Sequence, residues 1–149
     1  MGYASIFNAN LGMEYTPFGH WTFSADAFFR YGQGAEKTVL PLIQPFNYQF
    51  KAKYEIDDFF AEASLQGSTK NRNSIEFGET QKPAYYIFNL AISKNFALKE
   101  QNIIVKLGVE NLFDRYYSTF ADWFGIPRMG RNIYANVIYK FQNNDNMGK

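Results

Sequence analysis

An all-β fold, an antiparallel meander of about seven long strands of the kind that crosses a membrane, is predicted by three regularities. Apolar residues recur with a period of two in stretch after stretch, the connections between stretches alternate short and long, and charged side chains keep to one parity of each stretch. A period of two is that of a strand, whose successive side chains point to opposite faces. Each stretch therefore has one apolar face and one mostly polar face.

Composition narrows the class. The 149 residues suffice for one domain. Phe, Tyr and Trp number 16, 11 and 2, making 19% aromatic, yet mean hydropathy is negative and no apolar run approaches the roughly 20 residues of a spanning helix. Transmembrane helices are excluded and membrane strands are not. A net charge of +1, from 15 basic and 14 acidic residues, argues against a broadly electrostatic nucleic-acid binder, so no nucleic-acid partner is expected. The absence of cysteine removes disulfides, thiol catalysis and Cys-ligated metals. MGYASIFNAN is not a signal peptide, because a basic stretch followed by an apolar one is missing. A protein working outside the cytoplasm would then be a mature product or a piece of a longer precursor.

In chain order, Phe7, Ala9, Leu11, Met13 and Tyr15 oppose Asn8, Asn10, Gly12, Glu14 and Thr16, and Pro17 to His20 reads as a tight turn. Trp21, Phe23, Ala25, Ala27, Phe29 and Tyr31 oppose Thr22, Ser24, Asp26, Phe28 and Arg30. A loop from Gln33 to Phe46 carries Pro41 and Pro45. Tyr48, Phe50, Ala52, Tyr54 and Ile56 then oppose Asn47, Gln49, Lys51, Lys53 and Glu55. The turn at Asp57 and Asp58 leads into Phe59, Ala61, Ala63, Leu65 and Gly67, opposed by Phe60, Glu62, Ser64, Gln66 and Ser68. After the polar NRNSIEFGETQK, Tyr86, Phe88, Leu90 and Ile92 oppose Tyr85, Ile87, Asn89, Ala91 and Ser93. Ile103, Val105, Leu107 and Val109 oppose Lys106, Gly108 and Glu110. A last strand sets Ile133, Ala135, Val137, Tyr139 and Phe141 against Asn132, Tyr134, Asn136, Ile138 and Lys140.

Short turns alternating with longer loops are the rhythm of an outer-membrane barrel, with its short periplasmic turns and long extracellular loops. Glu14, Asp26, Arg30, Lys51, Lys53, Glu55, Glu62, Lys70, Lys106, Glu110 and Lys140 all lie on the polar parity, while Lys94 and Arg131, on the apolar parity, sit at strand ends. Lys or Arg facing hydrocarbon costs roughly 2 to 4 kcal/mol at the midplane and about 0 to 1 near the interface, which that placement respects. Asp26, Arg30, Lys51, Lys53, Glu55, Glu62, Lys106 and Glu110 are accordingly expected to line a lumen. Aromatics gather near strand ends, where a ring with a polar tip suits the headgroup level.

The terminal segment resembles the end of a TonB-dependent outer-membrane receptor. The resemblance rests on VENLFD at Val109 to Asp114 followed by Tyr117, on PRMGR at Pro127 to Arg131, and on a closing strand with Tyr139 and Phe141. LPLIQP at Leu40 to Pro45 also resembles a recurrent loop of that family. Asn111, Leu112, Phe113, Asp114, Pro127, Gly130, Arg131 and Phe141 are the motif residues. The resemblance implies a terminal aromatic read by the barrel-assembly machinery, contact with outer-membrane lipid, energy from TonB through a plug domain, and location in the outer membrane of a Gram-negative bacterium. Its solutes are scarce ones, with iron-siderophore complexes first and haem, cobalamin, copper or glycans also in range. No reaction is catalysed and no cofactor is expected.

The family's barrel has about 22 strands and a separate plug. Seven antiparallel strands cannot close on themselves, because the first and last would meet parallel. Residues 1–141 are therefore expected to be the C-terminal part of a larger barrel, with 142–149 a polar tail. The last strand then runs from outside to periplasm and the long loops face outward.

In the outward loop before that strand, Tyr117, Phe120, Trp123, Phe124 and Arg128 are the ligand-contact candidates, since an aromatic cluster there must bury itself against a ligand or neighbouring loops. The other constellations read more simply as structure. His20 is a lone histidine in a turn without companions for a metal site. Gly32 to Lys37 lacks the spacing of a phosphate loop. Glu55 and Glu62 share a face, but pairing with Lys or Arg is the simpler reading than acid and base chemistry. Lys51 and Lys53 point away from Phe50 and Tyr54, as no base-stacking surface would have it. The competing class is a soluble antiparallel β-barrel binding a small apolar ligand, which requires the apolar parity to face inward.

Overall fold

The computed structural model describes residues 3–35, 40, 43, 46–70, 82–98, 101–119, 122 and 126–141. Seven strands follow in sequence: β1 Ser5–Phe18, β2 Trp21–Gln33, β3 Asn47–Ile56, β4 Phe59–Ser68, β5 Tyr85–Leu98, β6 Gln101–Glu110 and β7 Asn132–Phe141. They form one sheet in the order β1 to β7, each antiparallel to the next. Among the described residues the outer edges of β1 and β7 pair with no further strand.

Register decides whether seven two-faced strands make one two-faced sheet, because a slip of one residue would turn a strand over. Leu11 lies opposite Ala27, which lies opposite Tyr48. Phe50 pairs with Leu65 and Leu65 with Phe88. Ile92 pairs with Leu107, and Leu107 with Ala135. Apolar parity thus meets apolar parity at every seam. Asp26, Arg30, Lys51, Lys53, Glu55, Glu62, Lys106 and Glu110 share the other face, with Lys53 directly opposite Glu62.

Burial is distributed the opposite way from a water-soluble sheet. On the apolar face Leu11 is 73% exposed, Met13 66%, Val137 71% and Ile133 77%. The buried side chains of the described strands belong to the polar parity: Ser64, Ser68 and Ile87, the last being the buried hydrophobic side chain among those described. The soluble alternative needs this arrangement reversed.

Two turns join strands at the same end of the sheet. The first is tighter than expected: β1 continues through Phe18 with a register irregularity after Tyr15, leaving Gly19 and His20 as the turn. A bulge lets Pro17 remain in the strand, since proline cannot donate to a regular ladder. His20 is structural there. Its backbone carbonyl accepts from the Glu55 N–H at 2.8 Å, its Nδ1 lies 3.0 Å from the Glu55 carbonyl, and its ring packs 6.0 Å from Tyr54. At the second turn Asp57 takes φ 48°, and Asp58 accepts from the Asn95 backbone N–H at 2.8 Å and from its Nδ2 at 3.0 Å. Trp21, stacked on Phe23 at 5.7 Å and tilted on Tyr54 at 4.9 Å, gathers aromatic rings at this end of the apolar face. Arg30 reaches across the polar face to Asn8 Oδ1 at 2.6 Å.

Candidate functional site

The connection between β6 and β7 begins on Asn111, 2% exposed and at φ 50°. Asparagine tolerates the left-handed region better than other residues with a Cβ, and its side chain uses that geometry. Nδ2 donates to the Arg115 carbonyl at 2.8 Å and to the Met129 carbonyl at 3.4 Å, while Oδ1 accepts from the Arg115 N–H at 2.8 Å. One amide thereby does the work of a short bridge between two stretches of loop. Its own N–H is taken by Asn89 Oδ1 at 2.9 Å, and Asn89 Nδ2 donates in turn to Ser64 Oγ at 3.3 Å. A polar ladder therefore runs from β4 through β5 into the loop.

Asp114 closes the knot from the other side. At φ 53° its Oδ1 accepts the Arg131 N–H at 2.7 Å, where β7 is about to start. A Cβ on Gly130 would fall 2.5 Å from that oxygen, and a short side chain held by its own hydrogen bond cannot give way. The structure thus brings NLFD and PRMGR together: Asn111, Asp114, Gly130 and Arg131 meet in one place. Leu112 donates its N–H to the Phe88 carbonyl at 2.8 Å, and Phe113, 67% exposed, sits 6.0 Å from the Phe88 ring. Pro127 is exposed, and Phe141 ends β7 opposite Gln101.

Farther out, a second cluster organises the loop. The Asp122 carboxylate accepts from the Thr119 N–H at 2.6 Å, the Thr119 hydroxyl at 2.8 Å and Arg128 Nε at 2.9 Å, and lies 2.6 Å from the second Arg128 nitrogen. Lys82, from just before β5, donates to the backbone carbonyls of Thr119, at 2.7 Å, and of Asp122. Tyr117 packs on Tyr85 at 4.7 Å, and its carbonyl accepts the Arg128 N–H at 2.8 Å. Of the ligand-contact candidates, Tyr117 and Arg128 are thus adjacent; Phe120, Trp123 and Phe124 lie outside the described residues. LPLIQP is likewise described only at Leu40 and Ile43, which cover Gly32.

The sequence reading missed Asp122, Thr119, Lys82 and Asn89. A signal existed for the first two, since Thr and an acid three residues apart are the spacing at which a carboxylate returns to a backbone N–H. Burial pushes the Asp122 carboxyl upward, but hydrogen bonds from Arg128 and Thr119 outweigh it and hold the group below the usual carboxylate range. Its tether is therefore complete above the unfolded value of about 3.9 and is lost as pH falls through the lower folded value. Asp122→Asn is expected to speed hydrogen exchange at the Thr119 and Arg128 amides at neutral pH while leaving the sheet amides unchanged. Acidification of the parent well below about pH 4, through the lower folded value, should likewise reduce the protection of these amides relative to their intrinsic exchange rates at the same pH. Exchange equal to the parent's at both amides would mean the carboxylate is not what holds the loop.

The described residues contain no group of three His, Cys, Asp or Glu side chains placed to hold a metal ion. No family model matches the chain, and no curated protein is similar to it. Its fold is similar to that of a solved structure, the copper transporter OprC, with a TM-score of 0.77 over 90% of this chain at 20% sequence identity. The chain spans 23% of the length of that structure. At this identity the likeness is one of fold.

Proposed function

We propose that this chain is an arc of a TonB-dependent receptor barrel in the outer membrane of a Gram-negative bacterium, serving the uptake of a scarce solute. The observation that carries the reading is the exposed apolar face, continuous in register across seven strands, while the charged residues of the strands other than Lys94 keep to the other side. Burial of apolar surface is worth about 25 cal/mol per Å², so such a face requires an apolar surround, and lipid hydrocarbon supplies it. The fold likeness to a transporter and the NLFD and PRMGR motifs support the same reading. Asp26, Arg30, Lys51, Lys53, Glu55, Glu62, Lys106 and Glu110 then line the lumen, with a plug domain coupling to TonB and the barrel-assembly machinery recognising Phe141.

For the cargo we propose a metal chelate, with iron-siderophore complexes first. Aromatic rings and a guanidinium, Tyr117, Phe120, Trp123, Phe124 and Arg128, recognise planar or anionic chelates by stacking and bidentate hydrogen bonding. Copper, the cargo named for OprC, belongs to the same class when carried as a complex. Arg128 already holds Asp122, so a bound anion would compete for that pair.

The test is partitioning of the chain between buffer and detergent, with light scattering for size and circular dichroism for sheet content. We expect sheet structure in detergent and aggregation in buffer. A monodisperse, sheet-rich monomer in buffer would overturn the reading in favour of the soluble apolar-ligand carrier.

A further inference from the structure

At the outer end of the apolar face two arginines, Arg115 after β6 and Arg131 before β7, border the strands. The Arg115 guanidinium carbon lies over the Tyr86 ring, 4.5 Å from its centroid, and Tyr86 belongs to the apolar parity and is itself exposed. Arg131 occupies the apolar parity just before β7. Arg115 follows Asp114 in the chain, and the Asp114 carboxylate accepts the Arg131 backbone N–H. Neither guanidinium has a hydrogen-bonded or ionic side-chain partner among the described residues. Around them Phe113, Tyr116, Met129 and Ile133 are 67, 81, 71 and 77% exposed. The rim thus combines two unpaired planar cations with a platform of exposed apolar and aromatic side chains.

We propose that this rim binds the phosphate-monoester headgroup of an anionic membrane lipid, with Arg115 and Arg131 on the phosphate and Phe113, Tyr116 and Ile133 against the upper acyl chain. The inference rests on the bilayer reading above and adds a lipid class to it. Charge complementarity selects that class: a guanidinium presents parallel N–H donors to phosphate oxygens, and stacking on Tyr86 orders Arg115 beforehand. An unmatched arginine beside hydrocarbon would otherwise extend toward water. Asp114, whose Oδ1 accepts the Arg131 N–H, offsets one of the two guanidinium charges and leaves the other for the anion.

The full chain is to be inserted into phosphatidylcholine bilayers with and without a minor fraction of phosphatidic acid, then extracted and assayed by mass spectrometry for retained lipid. Phosphatidic acid should be enriched over its bulk fraction. Arg115→Gln and Arg131→Gln should each lower the enrichment, by about fivefold for a basic group at a lipid surface, while Arg30→Gln on the polar face should leave it unchanged. Insertion with no enrichment, or enrichment insensitive to both rim substitutions, would overturn the headgroup site and leave the bilayer reading standing. A chain that does not insert into either bilayer would overturn both.

Discussion

Asn111→Ala is expected to destabilise the folded chain by about 2 to 5 kcal/mol, the sum of a left-handed backbone cost of roughly 1 to 2 and a stranded hydrogen-bonding group costing about 1 to 3. The residue is almost fully buried, and its amide carries three contacts to Arg115 and Met129. Alanine removes all three and must still adopt φ 50°. Asn111→Gly separates the terms: it relieves the backbone but leaves the Arg115 N–H unpaired, so it should recover only part of the loss. The measurement is a denaturant titration in detergent micelles followed by circular dichroism, with exchange at the Arg115 and Arg131 amides as the local readout. A parent-like midpoint for the alanine variant would refute the view that NLFD is a structural knot.

Leu107→Arg should cost about 2 to 4 kcal/mol in a bilayer, the penalty for a cation at midplane depth. Leu107 sits well inside β6 with Ile92 and Ala135 beside it on the apolar face, and Leu65→Arg should behave alike. Gln66→Arg places the same charge on the neighbouring parity, opposite Gln49 and Ile87, and should fold with the parent's yield. Comparable yields for all three variants in lipid vesicles would refute the assignment of faces. Loss of folding by Gln66→Arg alone would mean that the polar parity faces lipid.

The two substitutions probe different kinds of information. Leu107 and Gln66 were legible from alternation alone, because strand parity is a local property of the backbone. Asn111 was legible only as a member of a motif; its contacts to Arg115 and Met129 depend on a left-handed turn that no periodicity announces. Asp122 was passed over because, in sequence, it is one acid among aromatics. Lys82 was passed over because the partner it finds is some forty positions away. The bulge before Phe18 escaped notice because proline followed by glycine reads as the start of a turn.

By itself the sequence determined the number of strands, their two faces and the rhythm of short and long connections, since each follows from the two-residue repeat and from turn chemistry within a few residues. Only the tertiary structure decided that apolar parity meets apolar parity at all six seams, that this face is the exposed one, and that NLFD and PRMGR close on each other through Asn111 and Asp114. Those outcomes depend on strand register and on loop closure between residues distant in the chain. Pairing across strands and a buried amide's choice of partners settle them, and neither is written in any single stretch of residues.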